Sequence, residues 1–132
     1  MKKIISFIII IASLFTLCSC KKELTAERVK ENLTEAGYLV NVIETEKDCD
    51  NAKATIEIMM SLKLEGKING VVSATAGEKQ VELVIFELES DAKKYYDILM
   101  KTGSEAQIAN TEIHESMVFM ANNRESLEIA KK

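Results

Sequence analysis

The sequence predicts an α+β fold, a ferredoxin-like split βαβ arrangement. In it an antiparallel sheet carries helices on one face, with extra N- and C-terminal helices. Three observations predict this. After residue 24, stretches of helical and strand periodicity interleave. With the outermost helices set aside they read β-α-β-β-α-β. The two middle strands flank Gly77-Glu78, a hairpin turn. The composition, with 47% apolar and 29% charged residues, is that of a packed domain.

Each element has its own signature. Thr25 is a good N-cap, and Ala26, Val29, Leu33 and Ala36 fall on one helical face. Gly37 closes that helix. Tyr38 to Thr45 is rich in β-branched residues and reads as a strand. Residues 46–51 form a polar turn. The stretch from Ala52 to Leu64 carries two signals. Ala54, Ile56, Ile58, Met60, Leu62 and Leu64 alternate as in a strand, whereas its Ala, Met, Lys and Glu favour a helix. We read a helix. If Ala54 to Met60 is extended instead, the fold becomes a meander of strands.

Lys67 to Ala76 and Gln80 to Glu89 form the hairpin arms. Val81, Leu83 and Ile85 share one face, and Val84, Phe86 and Leu88 the other, so the second arm is an inner strand. Ser90 caps the next helix, with Ala92, Tyr95, Tyr96 and Leu99 on its buried stripe and Gly103 at its end. Residues 104–113 carry an edge strand near Ile108 to Ile113. Met117 to Ala121 reads as a strand, and Asn122 or Asn123 caps a last helix over Arg124 to Ala130.

The opening residues have a different character. Lys2 and Lys3 precede an apolar run from Ile4 to Leu17, broken only by Ser6, Ser13 and Thr16. This is short for a membrane span, which needs ~20 residues, and it fits the h-region of a secretory signal peptide. The run ends Leu17-Cys18-Ser19-Cys20. That ending resembles the lipobox of bacterial lipoproteins, in which an aliphatic and a small residue precede an invariant cysteine. The resemblance implies that Leu17 is the aliphatic site, that Ser19 and Cys20 flank the signal-peptidase cut, and that the Cys20 thiol carries a diacylglyceryl group. Cys18 stands where Ala, Ser or Thr is more usual.

The domains expected are therefore a signal peptide over residues 1–19, a lipidated anchor and short tether over 20–24, and one α+β domain over 25–132. Each buried methylene contributes ~0.8 kcal/mol and a single chain holds only marginally, so two chains make a lasting anchor. Lys21 and Lys22 would face anionic headgroups. Residues 21–24 reach at most ~15 Å when extended, which holds the domain close to the membrane. The location expected is the extracytoplasmic face of a cell membrane. The remainder of the chain is similar in style to small envelope lipoproteins of low-GC Gram-positive bacteria, through patterns such as Ser90-Asp91-Ala92-Lys93-Lys94-Tyr95-Tyr96 after a strand. That likeness implies no activity.

Charge and composition exclude several functions. The net charge is -4. Without residues 1–19, which hold Lys2 and Lys3 and no acid, 15 bases face 21 acids. An acidic surface with few aromatic rings disfavours nucleic acid. Neither a G-x-G-x-x-G nor a Walker-type phosphate loop occurs. His114 is the only histidine and no Cys-x-x-Cys is present, so catalytic triads and common zinc sites lack their parts.

After cleavage and lipidation Cys49 stands alone, and Asp48 and Asp50 should raise its thiol pKa. Glu46, Asp48, Asp50 and Glu57 imitate the ligand spacing of a calcium loop, but Asn51 stands where its turn needs Gly. Glu87 and Glu89 share one strand face, with Glu82 on the opposite one in phase with Phe86. Tyr95 and Tyr96 read as packing residues with hydroxyls at the sheet edge. No cofactor, metal site or catalytic residue is expected.

The function expected is that of a non-enzymatic binding or interaction domain on a lipid anchor, with an envelope protein as partner and an exposed apolar patch as its mark. The alternative is a receptor for a small ligand (lipid, peptide or solute), which needs a concave pocket. A domain of this size leaves little room for one beside its core.

Overall fold

The computed structural model describes residues 24–132. Leu17, Ser19 and Cys20, on which the anchor reading rests, lie outside them.

The first helix, α1 (Ala26–Glu35), starts at Thr25, whose side chain accepts from the Arg28 N–H. It ends where Gly37 adopts φ +89°. There the Gly37 N–H donates to the Thr34 carbonyl and the Tyr38 N–H to the Leu33 carbonyl, which satisfies two of the last carbonyls and turns the chain sharply. Strand β1 (Leu39–Ile43) follows, then α2 (Glu46–Met60), β2 (Ile68–Ala76) and β3 (Lys79–Phe86). Gly77, at φ +63°, opens the two-residue turn of the hairpin. After α3 (Glu89–Thr102) and the short α4 (Glu105–Ala109) come β4 (Thr111–His114), β5 (Met117–Ala121) and α5 (Arg124–Ala130).

The fold is α+β, with a fully antiparallel five-stranded sheet in the order β1-β2-β3-β5-β4. β3 is central, as its two apolar faces predict. This order is not that of the split βαβ arrangement, which sets its first strand inside the sheet. Here β1 is an edge strand. The reason is the return segment 61–67, which follows α2 and brings the chain back beside the end of β1. β2 then enters antiparallel to its predecessor, with Ile43 opposite Val71.

Helices cover both faces. The inner pair, α2 and α3, packs on one face with Cys49, Ala92 and Tyr95 against Val71, Val84, Phe86 and Val118. The terminal pair, α1 and α5, packs on the other with Val29, Leu33, Leu127 and Ala130 against Val72, Leu83 and Phe119. Burying such side chains contributes roughly 1.5–3 kcal/mol each, enough to fix which face each strand residue takes. On the α1 side, the Tyr38 hydroxyl and Ser126 Oγ lie 2.7 Å apart in the core. Glu112 of β4 pairs with Lys131 and Arg124. The hydrogen bond from Lys131 holds the Glu112 carboxyl below the usual carboxylate range, with both cations adding to the shift against partial burial.

Several boundaries move from the sequence reading. Residues 46–51 are not a turn but the first turns of α2, capped by Thr45, whose side chain accepts from the Asp48 N–H. The helix ends at Met60, and Ser61 takes a left-handed conformation at φ 50°. Leu88 rather than Ser90 precedes α3, and no side chain caps it. The edge strand begins at Thr111 because Ser104 and Gln107 form a reciprocal cap that starts α4 ahead of it.

Candidate functional site

The α2–α3 face of the sheet is not uniform, and the strand register shows why. One cross-strand row runs Ile43, Val71, Val84, Val118 and Ile113, all apolar. The next row on the same face runs Asn41, Ser73, Glu82, Met120 and Thr111. Small and polar side chains replace branched apolar ones within one step of the pleat. Helices α2 and α3 pack down on the first row and end near the second. A cleft of about 710 Å³ opens there, between the last residue of α2, the C-terminal half of α3, Gln107 of α4 and the sheet. Its size lies in the range of small-molecule sites. The expectation that the domain has little room for a pocket is thus corrected. The space comes from Ser73 and Thr75, which stand where larger residues would have filled it.

Glu82 lies on the floor of this cleft, on the central strand. It is part-buried and makes no hydrogen bond or ion pair among the described residues. Burial alone pushes its carboxyl above the usual carboxylate range. The buried Tyr95 projects from α3 to the same place, its ring 5.4 Å from Phe86 and tilted to it. Its hydroxyl donates to Met120 Sδ at 3.6 Å. Burial, and then the nearby Glu82 carboxylate, raise the phenol well above its ordinary value. It therefore stays protonated as a donor across the physiological range. Met60, Leu99 and Met120 supply apolar wall. The remaining polar lining is already engaged in part. Asn122 Oδ1 accepts from the Gln80 N–H at 2.8 Å, and Thr111 Oγ1 donates to the Gln107 carbonyl at 2.6 Å. Among the described residues, no Lys, Arg, His or Cys lines the cleft.

The other residues weighed in the sequence are not gathered. Cys49 is buried on α2, its thiol 3.9 Å from the Ile43 carbonyl. Burial first, then Asp48, Asp50 and Glu44, push its pKa up, as its neighbours predict. Glu46, Asp48, Asp50 and Glu57 lie along one helix rather than around a loop, so they do not converge as calcium ligands. No group of three or more His, Cys, Asp or Glu is placed to hold a metal among the described residues. His114, Glu87 and Glu89 are exposed, and Tyr96 is part-buried beside the core.

The sequence pattern puts Glu82 in phase with Phe86 but does not mark it as buried. Its phase was visible: it shares a strand face with Val84 and Phe86, both of which are buried. An acid in register with a buried stripe was the available signal. Among the described residues, three large apolar side chains are exposed: Leu39 at 80%, Ile58 at 79% and Met59 at 73%. No helix among the described residues is long and apolar enough to cross a membrane. Comparison with protein families, with curated proteins and with solved structures finds no match to this chain.

Proposed function

We propose that the chain is a lipoprotein anchored through Cys20 on the extracytoplasmic face of a membrane, and that its folded domain is a non-enzymatic binding module for a small ligand. The observation that carries the binding reading is the cleft over the Glu82 row, which is concave, partly apolar and open between α2 and α3. The lining suits binding better than catalysis. It pairs one carboxylate with one phenol and offers no nucleophile activated by a neighbouring base. The lipobox residues support the anchor. Leu24 packs into the α1–α5 core, on the sheet face opposite the cleft.

Two measurements test this. In fractionated cells the full chain should sediment with membranes and carry lipid, and Cys20→Ser should lose both. The full chain in lipid nanodiscs, with its methionine methyls labelled, should show saturable shifts of Met60 and Met120 in a screen of small molecules. A soluble, unlipidated wild type would sink the anchor, and a screen that moves neither methyl would sink the small-ligand site.

The second reading, a protein partner, is favoured by Ile58 and Met59. These adjacent apolar residues lie exposed near the end of α2. Crosslinking in cells should then capture a protein with wild type and not with a variant carrying Ile58→Lys and Met59→Lys. Equal capture by both would remove that reading.

A further inference from the structure

Resting on the small-ligand reading of the cleft, we infer that its ligand is an organic cation, a protonated or alkylated amine with an apolar body. A carboxylate accepts hydrogen bonds and donates none. Glu82 presents one to the cleft from the most central strand of the sheet, and the described residues bring no base to it. Opposite charge is thus missing from the place where it would be worth most. A partly desolvated carboxylate meets an ammonium through a charge-assisted hydrogen bond, roughly twice as strong as a neutral one.

The walls fit the rest of such a ligand. Met60, Leu99 and Met120 offer adaptable apolar contact. The Tyr95 ring belongs to the same lining, and aromatic faces attract cations. Its hydroxyl is committed to Met120, so it does not compete for Glu82. An anionic ligand would meet a like charge and find no cation among the lining residues. A neutral polar ligand would leave the carboxylate without its counter-charge.

The test uses the full chain in zwitterionic nanodiscs and four matched probes: benzylammonium, benzyltrimethylammonium, benzyl alcohol and benzoate. Shifts of the Met60 and Met120 methyls report binding, and the remaining methyl resonances report the fold. The two ammonium probes should saturate, with affinity at least about tenfold above that of the alcohol, and benzoate should leave the methyls unmoved. Glu82→Gln should lose that preference while keeping the other methyl resonances in place, and Glu82→Asp should retain it. Benzyl alcohol or benzoate binding as tightly as the ammonium probes would overturn the cation assignment and leave the cleft a ligand site. A preference that survives in Glu82→Gln would overturn the role of that carboxylate. No saturable shift from any of the four would overturn the cation assignment. The wider screen above then decides separately whether the cleft takes a ligand.

Discussion

Asp91 is fully buried in the first turn of α3, and its two oxygens accept from the backbone N–H groups of Glu65 at 3.1 Å and Gly66 at 2.7 Å. It clips the return segment 61–67 to the helix and so sets where β2 begins. Asp91→Ala would orphan both donors, and Gly66 is buried, so water replaces the lost partner poorly there. We expect a loss of about 2–3 kcal/mol in chemical denaturation, with Asp91→Asn losing about half as much. Glu82 acts in the opposite direction. Its folded pKa is raised by burial, so the fold disfavours its charged form. The destabilisation is present above the raised pKa and vanishes as pH falls below the ordinary carboxylate value. Glu82→Gln should therefore be more stable than wild type at neutral pH, and the gap should close as the solution is acidified through that window. Tyr95 is the other ionisable group lining the cleft and stays neutral throughout, so the difference between the two proteins isolates Glu82. Thermal unfolding of both across mildly acidic pH measures it, and a constant gap would show that burial does not act on this carboxylate.

At the scale of elements, the two tight hairpins solve one geometric demand with different residues. Both turns need a positive φ at their first position, supplied by Gly77 at 63° and by Glu115 at 53°. An L-residue there costs about 1–2 kcal/mol, part of which glycine would return as greater freedom of the unfolded chain. Glu115→Gly should thus stabilise by about 0.5–1 kcal/mol and Gly77→Ala should destabilise by about 1–2 kcal/mol. Denaturation midpoints that move in the same direction would contradict this account. The same pair shows what was legible in the sequence. Gly77 announces its turn, whereas Glu115 hides one, and the sequence pattern alone gives the β4–β5 hairpin as two separate strands. The strands that face two cores, above all β3, were legible because both faces are apolar. The start of α2 was not, because its first turns look polar and the N-cap Thr45 sits inside what reads as strand. The strand order depends on how segment 61–67 returns, which rests on Asp91 reaching across 25 residues to the Gly66 N–H. Local patterning carries no trace of such a contact. The cleft was hidden for a related reason: it is made by register, which sets Ser73 beside Glu82 and Met120, and not by any motif.

Residues 24–132 form a sheet between two helix pairs, and its strands belong to both halves. β3 gives Val81 and Leu83 to the α1–α5 core and Val84 and Phe86 to the α2–α3 core, while β5 gives Phe119 to one and Val118 to the other. A strand cannot lose its partners on one face and hold its register on the other, because register is set by which residues are buried. The two cores should therefore melt together, and the cleft should depend on a helix that never touches it. Leu127 of α5 tests this. It is fully buried on the α1–α5 side, and Leu127→Ala should cost about 2–5 kcal/mol through lost burial and the cavity left behind. Methyl resonances of Leu33 and Leu83 report the mutated side, and those of Val84 and Val118 the cleft side. In a thermal series all four should disappear at one midpoint, lowered equally by the substitution, and ligand-induced shifts at Met120 should be lost at that same temperature. If the Val84 and Val118 signals outlast those of Leu33 and Leu83, the faces unfold as separate units, and the cleft-bearing half stands without its terminal helices.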